Sequence, residues 1–232
     1  SSAVTLDLQE GGTYTFDQSD SSNSGHPLRF STTSNGTHGG GSEYTTGVTV
    51  TGTPGNAGAK TVIVVASGVA TLYYYCTNHS NMGGQANTNS TFGSSNFGGS
   101  IQANVSANNT AGFSIVSYTG NGSDGATVGH GLGVNPSAIL FKRRNGTSDW
   151  SFMGQNIGTA FSNYLRLQLT NAFATNSGIL QNSSSSTFTI GTSSRVNASS
   201  ATMIAYCFAE KKGYSKIGSY TGNGNADGAF VY

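Results

Sequence analysis

Charge is scarce in this sequence. Lys, Arg, Asp and Glu make up 8% of its 232 residues, with a formal balance of +1. That total gives no electrostatic argument for a nucleic-acid partner or for an anionic membrane surface. Cysteine is scarcer still. Cys76 and Cys207 are the only two, which is too few for a disulfide scaffold. They fall in different halves of the chain, so no bridge between them is expected. No run of eighteen apolar residues occurs, so no membrane-spanning helix is expected. Ser1-Ser2-Ala3-Val4 lacks a basic start and an apolar signal region, which suggests a processed leader or export by another route.

Glycine is abundant, at 34 residues, and Ser, Thr and Asn fill much of the rest. Low charge with weak hydrophobicity can mean disorder. Here 11 Tyr and 12 Phe, with many Val and Ile, sit in short alternating bursts between turn residues. That pattern reads as all-β, with long polar loops.

Val4–Leu8 and Thr13–Phe16 alternate on either side of Glu10-Gly11-Gly12. His26–Phe30, Val48–Thr51, Thr61–Val65 and Ala70–Tyr75 follow, with Thr61–Val65 expected to be a fully buried strand. This density of short strands suits a small β-sandwich. A Gly/Asn/Ser-rich linker is expected over 89–112, with Ile101 in a final strand. Beyond it, Phe113–Thr119, Ala138–Arg144, Asp149–Phe152, Tyr164–Thr170, Phe188–Ile190 and Thr202–Phe208 read as strands of a second sandwich-like module over 113–218. Asn145-Gly146 marks a hairpin turn, and a short helix is expected over 154–164. Ser117-Tyr118-Thr119-Gly120-Asn121-Gly122 recurs as Ser219-Tyr220-Thr221-Gly222-Asn223-Gly224. A repeat at domain-length spacing makes 219–232 the start of a second module copy or a strand closing the sheet.

Tyr73-Tyr74-Tyr75-Cys76-Thr77-Asn78-His79-Ser80-Asn81-Met82 carries the chemistry. A strand ends in Cys76, and His79 and Met82 follow at three-residue steps in a turn-rich loop. Thiolate, imidazole and thioether are soft ligands that suit copper. His26 can complete the set. His38, in a Gly-rich loop, is an alternative ligand or a solvated side chain.

The Cys-x2-His-x2-Met spacing after an aromatic strand, with a distant upstream His, resembles the ligand loop of cupredoxins, most nearly the amicyanin kind, over residues 1–88. That resemblance implies a trigonal copper set of His26, Cys76 and His79, with Met82 as the weak axial ligand. In the second region, Ser-Tyr-Thr-Gly-Asn-Gly, His130-Gly131-Leu132-Gly133-Val134-x-Pro136, Lys142-Arg143-Arg144 and Ala205-Tyr206-Cys207-Phe208-Ala209-Glu210 resemble a repeat in structural proteins of marine tailed phages. That resemblance implies a non-enzymatic, surface-exposed virion component, a capsid decoration or a fibre/adhesin. It would assemble as a homo-oligomer with other virion proteins, with host-surface glycan as a further partner. An extracellular or periplasmic blue-copper electron carrier and a carbohydrate-binding module are the alternatives.

Other candidates are weaker. His130 between glycines has no nucleophile and acid recognisable beside it. The 121–125 loop holds one acidic residue, too few for a strong calcium site. Lys142-Arg143-Arg144 reads as a soluble strand edge. Trp150 and the tyrosines can stack on sugars or fill cores.

Overall fold

The computed structural model describes residues 3–88, 93–154, 157 and 161–228. They form an all-β protein of two compact units, Ser1–Ser95 and Asn96–Tyr232.

The first unit contains β1 (Leu6–Asp7), β2 (Thr13–Asp17), β3 (Leu28–Ser31), β4 (Glu43–Tyr44), β5 (Val48–Thr51), β6 (Lys60–Val64), β7 (Leu72–Cys76) and β8 (Gly83–Asn87). One sheet runs β1-β8-β7-β3-β4 and the other β2-β6-β5. All pairings are antiparallel except β1 with β8. Alternation explains the layers. Leu6, Phe30, Leu72 and Ala86 of the larger sheet meet Ile63, Tyr14 and Phe16 of the smaller one in a single core. Two sheets sharing one apolar core make a sandwich. The turn at Gly11-Gly12 joins strands of different sheets. Only alternate residues of β6 are buried: Ile63 is inside, whereas Val64 is 46% exposed. Thr61–Val65 is therefore half-buried, because the smaller sheet covers the core with one face only.

Tyr75 points away from that core and is nonetheless buried. A 3-10 turn at Gly36–Gly39 folds over it. A side chain at Gly36 would place its Cβ 2.5 Å from the Tyr75 ring, so only glycine permits the approach.

Residues 89–112 were expected to be a linker, and their described part is largely structured. β9 (Ser94–Asn96) spans the division between the units, and β10 (Ala103–Asn108) is the first full strand of the second. Residues 89–92 lie outside the described residues. The strands escape a reading by apolar periodicity because Ser-Ser-Asn and Ala-Asn-Val-Ser-Ala-Asn carry few large apolar groups. Ile101 makes only an isolated bridge, to Val128.

The second unit continues with β11 (Phe113–Thr119), β12 (Ala126–Gly129), β13 (Ala138–Arg143), β14 (Ser151–Met153), β15 (Asn163–Arg166), β16 (Ala174–Thr175), β17 (Leu180–Ser183), β18 (Thr187–Ile190) and β19 (Thr202–Phe208). An eight-stranded sheet, β16-β15-β14-β13-β19-β11-β10-β9, faces a three-stranded one, β12-β18-β17. Their shared core includes Val116, Tyr118, Phe141, Met203 and Cys207 from the first and Val128, Phe188, Ile190 and Leu180 from the second.

Three local expectations change. β15 stops at Arg166, and a turn follows in which Leu169 N–H bonds the Arg166 carbonyl, so Tyr164–Thr170 is not one strand. β13 and β14 are joined by residues 144–150 rather than by a two-residue Asn-Gly turn. Of the helix expected over 154–164, residues 155, 156 and 158–160 lie outside the described residues, and its end is β15. In the C-terminal copy, described residues 217–228 form no strand and Tyr220 is 72% exposed. Residues 229–232, the rest of that expected segment, lie outside the described residues.

Candidate metal centre

Cys76 is the last residue of β7 and His26 lies just before β3, which pairs with it. Register alone therefore brings them to one end of the sandwich. Two backbone bonds fix that end: Thr77 N–H to the Pro27 carbonyl (3.1 Å) and Cys76 N–H to the Met82 carbonyl (2.8 Å). The second closes the loop that carries His79. Asn81, in the left-handed region at φ 60°, turns the loop back, and its N–H bonds Asn35 Oδ1 at 2.7 Å. Asn78 Nδ2 donates to the Gly25 carbonyl at 2.9 Å, tying the loop to the residue before His26.

The ligating atoms of His26, Cys76 and His79 all lie within 4.8 Å of one another. Cys76 Sγ is 3.9 Å from His26 Nδ1 and 3.4 Å from His79 Nδ1. An ion with bonds of about 2.3 Å to sulfur and about 2.0 Å to nitrogen holds the two atoms roughly 3.5–3.7 Å apart. The two observed separations bracket that span, so the donor set fits a metal ion. Cys76 is buried, His26 half-buried and His79 exposed. Met82, 46% exposed, lines the same small opening as His26 and Cys76.

Gln18 is a supporting residue that carries no sequence signal. It is 5% exposed, donates to the His26 carbonyl at 2.8 Å and accepts from Leu28 N–H at 3.1 Å. One side chain thus holds the backbone on both sides of Pro27. His38 does not join the donor cluster. Its Nε2 lies 3.2 Å from the Cys76 carbonyl oxygen and donates to it, bracing the end of β7 from the other side.

A family model described as "Domain of unknown function (DUF7483)" matches residues 75–232, more than half of the chain. The chain belongs to the DUF7483 family. No curated protein and no solved structure matches it. The DUF7483 match begins at Tyr75, so it takes in Cys76, His79 and Met82 but not His26. It also starts inside the first unit rather than at the division between the two.

Polar groups in the second unit brace its loops. His130 is fully buried; its Nδ1 accepts from Leu132 N–H (3.2 Å) and its Nε2 donates to the Ser184 carbonyl (3.1 Å). Burial pushes its pKa below the ordinary value of 6.5, against the opposing pull of the Ser184 carbonyl. In the 121–125 loop, Asp124 accepts from Gln181 Nε2 and Asn121 Oδ1 from Ser123 N–H, so these oxygens already have protein donors. Lys142 Nζ bonds the Ser148 carbonyl and lies 5.6 Å from the centre of the Trp150 ring.

Proposed function

We propose that this chain is a surface-exposed structural module of a tailed-phage virion, non-enzymatic, whose N-terminal unit holds copper on His26, Cys76 and His79 with Met82 as a weak fourth ligand. One observation carries the metal reading: three soft donors from two segments about fifty residues apart meet at spacings suited to a single ion. Thiolate, imidazole and thioether favour copper over harder ions. Bound there, copper would offer a redox-active centre and would stabilise the folded unit, since an ion that binds only the folded form adds to its stability. The residues' own part is to present Cys76 from a rigid strand end, with Gln18 and His38 fixing the backbone around it. The virion reading rests on the resemblance of the second region to phage repeats. An electron carrier is the second reading, favoured by the exposure of His79, through which a partner could couple to the metal.

Titrating the intact chain with Cu(II) tests the site. The expected result is one equivalent bound with an intense visible thiolate-to-copper band. A colourless titration with no copper retained removes the metal reading. Mass spectrometry of purified particles tests the rest: the chain is expected as a stoichiometric component, and its recovery only as a free soluble protein contradicts that role.

A further inference from the structure

The chain-wide charge of +1 conceals a split. Residues 1–95 carry two Lys/Arg against five Asp/Glu, and residues 96–232 carry eight against four. The eight strands of the large sheet contain no acidic residue at all.

That sheet has one face in the core and one turned outward. Ile115, Tyr206, Leu140, Phe152 and Leu165 stand side by side on five neighbouring strands of the outward face. Trp150 and Leu167 extend the row, joined by Leu167 N–H to the Trp150 carbonyl at 3.1 Å. Alternation from the Tyr164–Ala174 pair puts Phe173 beside Leu165. Of these, Ile115, Trp150, Leu167 and Phe173 are 36%, 36%, 54% and 48% exposed. Contiguous apolar surface of this kind marks a contact site. Lys142 lies over Trp150, and exposed Arg144 is two residues further along the same face. The neighbouring acid, Asp149, is paired with Arg195.

We propose that this face docks on an anionic lipid surface. Three features fit together. Trp and Tyr rings favour the boundary between headgroups and acyl chains. Lys and Arg stems can lie along apolar surface with their charges among anionic headgroups. The cations on the face meet no acidic side chain within the sheet, which gives it one sign of charge. This is docking by a sheet face; no helix among the described residues is long and apolar enough to cross a membrane.

Trp150 is the sole tryptophan, so its emission reports on this face alone. The intact chain is titrated with phosphatidylcholine vesicles and with phosphatidylcholine–phosphatidylglycerol vesicles. A blue shift and co-sedimentation with the anionic vesicles only, weakening with salt, is the expected result. Arg144→Gln should weaken binding about fivefold, and Leu167→Ser about tenfold or more. Both positions are exposed, and unchanged circular dichroism verifies that the variants fold. Equal binding to both vesicles, binding to neither, or indifference to both substitutions overturns the proposal. So does a blue shift that follows protein concentration without vesicles, which assigns the face to a second copy of the chain.

Discussion

Cys76 and Cys207 lie on comparable strands, β7 and β19, and both are buried. Cys207, next to last in β19, lies between paired strands on both sides, and burial pushes its thiol up to about 12, only partly offset by the neighbouring Ser114 hydroxyl. Cys76 sits at a strand end beside two imidazoles. The same contrast runs through the two units. The first gathers its reactive side chains at one end of the sandwich. The second turns its buried polar groups, Asn197 and His130, to holding loops. What stands beside a buried polar side chain, more than burial itself, decides its use: Cys76 has the imidazoles of two loops beside it, whereas Cys207 has a paired strand on either side.

The largest expected effect separates the two thiols. Cys76→Ser should abolish the visible copper band and weaken copper binding by more than the ~100-fold typical of losing a supporting residue. Cys207→Ala should leave copper binding unchanged. Equal effects in a copper competition assay would dissolve the distinction.

Asn197 sharpens the other half of the comparison. It is fully buried, and its Oδ1 accepts from Asn121 N–H (2.9 Å) and Gly122 N–H (3.3 Å). Its Nδ2 donates to the Ser123 (2.8 Å) and Gly191 (3.1 Å) carbonyls. Asn197→Ala should cost about 3 kcal/mol in urea unfolding, since each lost bond is worth ~1 kcal/mol and the abandoned groups stay buried. A loss below ~1 kcal/mol would mean that the loop braces itself.

The duplicated motif gives an internal control. A Cβ on Gly120 would lie 2.4 Å from the Ala198 carbonyl oxygen, whereas one on Gly222 meets nothing within 4 Å. Gly120→Ala is therefore expected to destabilise by about 2 kcal/mol, as overpacking does, and Gly222→Ala by no more than ~0.5 kcal/mol. Comparable losses at both in thermal melts would place the tail in a packed strand.

The smallest effect is a pH dependence. His130 has a folded pKa depressed below 6.5 by burial. The unfolded chain then binds the proton more readily, so stability is full above 6.5 and falls as pH drops from there toward the folded value. Metal-free protein should show this loss, and His130→Gln should flatten it. A metal-free pH profile that His130→Gln leaves unchanged would contradict this.

Much of this was legible in the sequence for physical reasons. Cys76, His79 and Met82 sit on one short loop, where spacing constrains geometry, and His26 sits beside the strand that β7 pairs with. Alternating runs such as Thr202–Phe208 declared their strands. What escaped notice depended on long-range contacts. Gln18 supports His26 through a fold-dependent contact, and Tyr75 is buried only because the Gly36–Gly39 turn reaches it. β9 carries no apolar side chain, and β10 gives the core only the small side chains of Ala103 and Val105, too little for periodicity to declare either strand. The split of charge between the units vanished in the total.

X-ray absorption of the copper-loaded chain at the copper edge tests the central claim most directly. The account predicts one short copper–sulfur bond and two imidazole nitrogens, with the sulfur lost in Cys76→Ser. A shell of nitrogen and oxygen alone, unchanged by that substitution, would contradict it.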